Sequence, residues 1–483
     1  MKTTKTITRC LMAFGTSLVA FATYAQMAIG TNFWVTGWGK GPGEYFKTGQ
    51  SWGTIGSGTN WKTANPWRDD FVNEIKMYNT LRFMDWQRTN NNNDVNWTER
   101  TSPTSDHFNN GGEVALEWCV NLANRIDKNV WFCVPHKASD DYIRKLATFL
   151  RDNLEVDRKI FIEYSNETWN SVFQQNGYCM TQGKNGGYPG LNDNYKGENY
   201  SMHRSLRVFG IFEEVFGSSN VGRWARVRRV VSCGGNLDWV DKALRDIYKS
   251  TTYNPNNRKI DFLALAPYVG GGIDGAASDV ATKFRAETDK VYTNRVLVVE
   301  KSKNAYAIPA MAAYEGGHHI NTNADKWSAN SKIYTEYRYM LDKFKPKFAH
   351  FVHYTHVGDW NGTNAWGAKR FTGQSDAEAH KYRALKDWAA ANPAREAADE
   401  DAESFGKIED TGLLIYPNPT TGLLNIEVNG QEAAIKVYNA QGSIVASAVT
   451  VEGIAKVNIS GSGIYFVEVA TETDRTVKKV VVE

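Results

Sequence analysis

Eight short apolar runs recur along the first 354 residues, at 28–35, 80–84, 129–134, 159–165, 226–232, 260–267, 310–315 and 348–354. Between several of them lie stretches with apolar residues at three- and four-residue spacing, at 113–126, 140–153, 237–248, 278–292 and 331–344. Short unalternating runs fit strands buried on both faces, and the longer periodic stretches fit amphipathic helices. Strand–helix alternation repeated eight times predicts a parallel (β/α)8 TIM barrel, an α/β fold. After residue 412 the pattern changes to short alternating runs at 424–428, 434–438, 456–459, 464–469 and 476–481. Turn residues at Asn429-Gly430, Gln441-Gly442 and 461–463 separate them, which predicts a small antiparallel β-sandwich.

The segment between the two patterns, residues 394–412 (AREAADEDAESFGKIEDTG), is acidic and poor in large apolar side chains. It reads as a solvated linker between a barrel over 27–393 and a tail domain over 413–483. Long polar, Gly-rich stretches at 37–66 and 169–199 follow the first and fourth strands and read as loops on the barrel's functional face. At the amino terminus, Lys2, Lys5 and Arg9 precede an apolar stretch from Leu11 to Ala22, and Thr23-Tyr24-Ala25 gives a small-x-small cleavage pattern. Residues 1–25 therefore read as a secretory signal. No later stretch is long enough to span a bilayer.

Composition narrows the function. Without the three leader cations the formal charge falls from +3 to zero, which leaves no case for nucleic acid or an anionic membrane as partner. Aromatic residues make up 13% of the chain, and all 16 tryptophans lie between Trp34 and Trp388. Such flat apolar faces with a single donor suit both core packing and stacking on sugar rings. Of five cysteines, Cys10 leaves with the leader, and Cys119, Cys133, Cys179 and Cys233 lack metal-type spacing.

The run 159–165 ends on Ser165-Asn166-Glu167, polar residues beside Trp169 where an apolar strand would continue. Active sites of such barrels assemble at the carboxyl ends of the strands. Arg82 lies in the second strand, His136 just after the third, and Tyr268 after the sixth. Glu315 ends the seventh, and Trp360 and Trp366 follow the eighth. Two carboxyls, an amide, an arginine and aromatics at one end form the inventory for hydrolysis of a glycosidic bond, with one carboxyl protonated and the other ionised. Glu163 shares the inward face with Glu167 by alternation and reads as an interior ion-pair partner, and Asp85 either lies near the mouth or satisfies Arg82. Val296-Leu297-Val298-Val299-Glu300 also looks like a strand closing on a glutamate. Gly316-Gly317 directly after Glu315 favours Glu315, and Glu300 remains the alternative. His318, His319, His350, His353 and His356 raise a metal-dependent hydrolase as a rival. No His-x-His or His-Glu-x-x-His pattern supports it, so no metal or cofactor is expected.

The Asn166-Glu167 ending of the fourth strand and Tyr314-Glu315-Gly316-Gly317 at the seventh resemble glycoside hydrolase clan A. The resemblance implies a retaining β-glycosidase with Glu167 as acid/base, Glu315 as nucleophile and Asn166 on the sugar 2-hydroxyl. It also implies Tyr268 and Arg82 as partners of Glu315, and a polysaccharide of β-glucan, mannan or xylan type as substrate. A catalytically silent barrel that binds glycans is the alternative. In the tail, Ile415-Tyr416-Pro417-Asn418-Pro419, Val437-Tyr438-Asn439-Ala440-Gln441-Gly442, Gly463-Ile464-Tyr465-Phe466-Val467 and the terminal Lys478-Lys479-Val480-Val481-Val482-Glu483 resemble the C-terminal sorting domain of the type IX secretion system. That resemblance implies contact with the secretion machinery, export to the cell surface or beyond, and removal of the tail. A carbohydrate-binding module is the structural alternative for it.

Overall fold

The structure, a computed structural model, describes residues 27–34, 42–47, 60–104, 113–234, 237–394, 413–416, 420–428, 432–439, 443–471 and 475–482. The proposed signal at 1–25, nearly all of the linker, and the turns at 429–430 and 441–442 lie outside the described residues. The chain divides into two compact units, Met1–Arg395 and Glu396–Glu483.

The first unit is a closed parallel barrel of strands β1 (Ala28–Asn32), β2 (Thr80–Arg82), β3 (Asn129–Val134), β4 (Ile160–Tyr164), β5 (Val227–Ser232), β6 (Phe262–Leu265), β7 (Ala310–Ala313) and β8 (His350–His353). Each strand pairs with the next, and β8 closes on β1, with Ala28 opposite His350. All eight expected runs contain a strand. Alternation divides each strand between two cores. Trp131, Cys133, Phe161, Val230, Phe262, Ala264, Ala310, Ala312 and Val352 fill the barrel interior. Val130, Phe132, Ile160, Ile162, Leu263 and Met311 face the surrounding helices. The interior is thus a packed core, so chemistry is confined to its rim.

The helices are α1 (Asp69–Ile75), α2 (Leu116–Arg125), α3 (Asp140–Asn153), α4 (Gln174–Asn185), α5 (Asp193–Phe216), α6 (Leu237–Ala243), α7 (Val280–Val291), α8 (Leu297–Ala305), α9 (Ala324–Ser328), α10 (Ile333–Phe344) and α11 (His380–Ala391). Helix α3 shows how sequence sets such an element. Ser139 caps it by accepting from the Tyr142 N–H, Asp140 and Asp141 occupy its first turn, and Arg151 its last. Its buried residues Tyr142, Ile143, Leu146, Ala147 and Leu150 form one stripe, each large one contributing about 1.5–3 kcal/mol by leaving water.

Two sequence expectations change. The stretch 169–199 is not an open loop but holds α4 and the start of α5, packed as an antiparallel hairpin. Val296–Glu300 is not a strand. Leu297–Ala305 is helix α8, and Glu300 on it accepts from Lys347 Nζ at 2.8 Å. The strand before the double glycine is β7. Cys119, Cys133, Cys179 and Cys233 are all buried free thiols. Among the described residues no helix is long and apolar enough to cross a membrane.

The second unit holds a three-stranded and a four-stranded antiparallel sheet, the small β-sandwich expected. Their orders are β13 (Ile454–Asn458), β10 (Leu423–Val428), β9 (Leu413–Tyr416) and β12 (Ile444–Val449), β11 (Ala434–Asn439), β14 (Gly463–Ala470), β15 (Arg475–Val482). Leu424, Ile426, Ile435, Val437, Val467 and Val469 supply its core, the inward half of each alternating run. Strand β12 went unpredicted because it is an edge strand with no buried residue to mark a core face.

Candidate active site

Arg82, the last residue of β2, is fully buried inside the barrel mouth. Its Nη1 donates to Asn32 Oδ1 at 3.1 Å and Glu315 Oε1 at 3.0 Å. Its Nη2 donates to Glu163 Oε2 at 3.1 Å and Asn166 Oδ1 at 2.8 Å. Trp131 Nε1 donates to the same Glu163 oxygen at 2.9 Å. Glu163 is therefore the interior ion-pair partner that alternation along β4 suggested. One guanidinium ties the ends of β1, β2, β4 and β7 together, and its planar fork suits that task better than an ammonium would.

After Tyr164 the chain leaves β4 through two non-glycine residues with positive φ, Ser165 at 58° and Glu167 at 43°. Such backbone costs on the order of 1–3 kcal/mol per residue and persists only where its surroundings hold it. Here Ser165 N–H donates to Val134 O at 2.8 Å, while Gln175 and Asn176 of α4 donate to Asn166 O and Thr168 O, each at 2.8 Å. Asn90 Oδ1 accepts from both Gln175 Nε2 and Asn166 Nδ2. The polar first turn of α4 thus fixes how Asn166 and Glu167 are presented.

Both glutamates have both oxygens engaged. Glu167 accepts from the Tyr314 hydroxyl at 2.8 Å and from Asn170 Nδ2 at 2.9 Å. Glu315 accepts from Arg82 and, on Oε2, from the Tyr268 hydroxyl at 3.0 Å. Burial raises the Glu315 carboxyl, and the charges of Glu167 and Asp85 add to the rise, while the Arg82 guanidinium beside it and the Tyr268 hydroxyl act the other way and favour its carboxylate. Burial also raises Glu167, against the Asn170 and Tyr314 hydrogen bonds. Asp85 is not among the hydrogen-bond partners of Arg82. Burial raises it to about 7, while the charge of Arg82 and then a hydrogen bond from the Tyr354 hydroxyl act the other way.

Gly316-Gly317 answers to packing within the protein. A Cβ on Gly316 would lie 2.6 Å from the Phe351 ring, and Gly317 has φ of 132°. Beside Glu315 a partly exposed aromatic wall is built from Tyr268, His319, Trp366, Trp34 and Tyr354. Its ring centroids are 5.4 Å apart for Tyr268–His319, 5.6 Å for His319–Trp366 and 5.3 Å for Trp34–Trp366.

Of the residues singled out by sequence, Arg82, Asn166, Glu167, Tyr268 and Glu315 meet in one network, and Trp366 stands on the adjoining wall. Trp360 turns inward instead, donating to Gly367 O at 2.9 Å with the Lys381 ammonium 5.0 Å from its ring. His136 makes no hydrogen bond to the network and lines a separate cavity. Sequence reading did not single out Asn32, Asn90, Asn170, Gln175 or a role for Tyr314, since isolated amides in polar stretches carry no periodic signal. Among the described residues no three His, Cys, Asp or Glu side chains converge as a metal donor set.

Among solved structures, an endo-β-1,4-mannanase double mutant of Cellulomonas fimi is similar over 95% of this chain and 94% of its own, at 12% identity and a TM-score of 0.40. A Bacteroides uniformis β-glucuronidase 2, with 12% identity and a TM-score of 0.37, aligns over 86% of this chain. This chain spans 43% of the length of that β-glucuronidase and 56% of a second, FMN-binding one. PorZ of Porphyromonas gingivalis, described as a surface component of the type-IX secretion system, aligns over 15% of this chain and 11% of its own, with 21% identity and a TM-score of 0.14. No curated protein sequence matches the chain. Residues 414–483 match the secretion system C-terminal sorting domain family, and the C-terminal unit of this chain is such a domain.

Proposed function

We propose that the barrel is a retaining β-glycoside hydrolase of the clan A type, exported by way of its sorting domain and acting on a polysaccharide of β-glucan, mannan or xylan type. The observation that carries this reading is the unequal surroundings of two carboxyls at the barrel mouth, Glu315 buried and Glu167 half-buried. Glu315 touches the Arg82 guanidinium and Glu167 does not. Where two such carboxyls share one proton, the cation holds the charge on Glu315 and leaves the proton on Glu167. In the first step Glu315 attacks the anomeric carbon while Glu167 gives its proton to the departing glycosidic oxygen. In the second, Glu167 takes a proton from water, which attacks the same carbon and releases Glu315 as a carboxylate. In this reading Asn166, held by Arg82 and Asn90, bonds a sugar hydroxyl, and Trp366 packs its face on the ring.

Reducing-sugar release from β-glucans, mannans and xylans tests the activity, and silence on all of them overturns it in favour of a glycan-binding barrel. For the roles, Glu315→Gly abolishes turnover, and added azide restores release of the activated leaving group with formation of a glycosyl azide of inverted configuration. The same behaviour from Glu300→Gly would transfer the nucleophile to α8 and sink the assignment.

A further inference from the structure

A cavity of about 470 Å³, a size typical of small-ligand sites, lies between the end of β3, the start of α3 and the α4–α5 hairpin. Tyr178, Tyr188 and Tyr200 form one wall, with ring centroids 6.1 Å apart for Tyr178–Tyr200 and 5.8 Å for Tyr188–Tyr200. His136 stands edge-on to Tyr178 at 5.0 Å. It is only 1% exposed, yet neither ring nitrogen has a hydrogen-bond partner. Leaving a buried polar group unpaired costs on the order of 1–3 kcal/mol, so a site that does this is one that a polar ligand can complete. Burial lowers His136 to about 4, and the neutral ring then offers one donor and one acceptor.

The same lining carries cations, two of them on α5 with Tyr200. Lys137, Arg204 and Arg207 line the cavity, and Asp140 is the only acid among its lining residues. Arg204 and Arg207 both bond Asp140, at 2.5 and 2.9 Å. Arg207 also reaches Glu214 at 3.4 Å, and Lys137 donates to Asn93 Oδ1 at 2.7 Å, but Lys137, Arg204 and Arg207 against Asp140 alone leave the lining itself with surplus positive charge. The amino end of α3, where Ala138, Ser139 and Asp140 line the cavity, adds partial positive charge. No hydrogen bond joins this lining to Arg82, Glu167 or Glu315.

We propose that this cavity is a second carbohydrate site, one that binds an acidic sugar residue, a hexuronate. The tyrosine faces pack against the ring, His136 bonds its hydroxyls, and Arg207 and Lys137 hold its carboxylate. The proposal goes beyond hydrolysis at the glutamates and does not depend on it.

Calorimetry on the full chain carrying Glu315→Gln tests it, since binding is then read without turnover. A hexuronate trisaccharide binds, and Arg207→Gln or Lys137→Gln weakens it at least tenfold with the melting temperature retained. Raising the salt concentration weakens it as well. Both cations are partly exposed, so at least one variant folds. Equal affinity for a neutral trisaccharide of the same length, equal occupancy by inorganic sulfate alone, or unchanged hexuronate affinity in both variants overturns the proposal.

Discussion

Arg82 concentrates more of the candidate site than any other single side chain. Its guanidinium serves Asn32, Glu163, Asn166 and Glu315 at once, fully buried and flanked by the Trp131 and Tyr314 rings at 5.5 and 5.2 Å. Replacing it with methionine leaves Glu163 and Glu315 buried without their cation, a change that costs about 3–5 kcal/mol. Arg82→Met is therefore expected to lower the denaturation midpoint strongly as well as abolish activity, both read on the same preparation. The acid role is separable from stability. Glu167→Gln is expected to cut kcat about 10²–10⁴-fold on unactivated glycans, and less on aryl glycosides whose leaving group needs no proton. The rate should follow a bell in pH, because the working form carries one proton on the pair. It falls at low pH as Glu315 is protonated, and at high pH as Glu167, raised by burial, loses its proton. Asn170 lowers Glu167 by stabilising its carboxylate, so Asn170→Ala should move the alkaline limb to higher pH. A limb that stays in place would exclude Glu167 as the titrating acid.

At the scale of elements, what sequence made legible was whatever carried a period. The run 159–165 announces β4 through its consecutive apolar residues, and 140–153 announces α3 through its apolar stripe, with the Ser139 cap seen only in the structure. Helix α4 (QQNGYCMTQGKN) looks like loop in sequence because its buried residues are Gln175, Asn176, Cys179 and Gly183, mostly polar or small. Those polar positions serve the site, bonding Asn90, Asn166 and Thr168, so function erased the very pattern that would have revealed the helix. The run at 296–300 was ambiguous for another reason: four apolar residues fit a strand or one turn of a buried helix equally well. Gly183 shows how closely the hairpin is packed. A Cβ there would lie 2.2 Å from the carbonyl oxygen of Lys196 on α5, a backbone atom that cannot step aside. Gly183→Ala is expected to destabilise by about 1–3 kcal/mol and to open the hairpin to proteolysis before the barrel. Since α4 holds the 165–167 turn, activity should fall with it.

For the whole molecule, two units with separate cores imply separate folding. A chain ending at residue 394 is expected to keep the melting temperature and glycan hydrolysis of the full protein while losing export, measured by assaying culture medium against cells. Loss of activity on truncation would instead give the tail a part in the barrel's work.

The four buried thiols bear on where such a protein can operate. Cys119, Cys133, Cys179 and Cys233 are unpaired, and burial raises each thiol above its ordinary value, suppressing the reactive thiolate. A protein addressed to the cell exterior would then owe none of its cohesion to the redox potential it meets there. Anoxic sulfide-rich sediment and aerated water would be equivalent surroundings for it, and its maturation would need no oxidising partner.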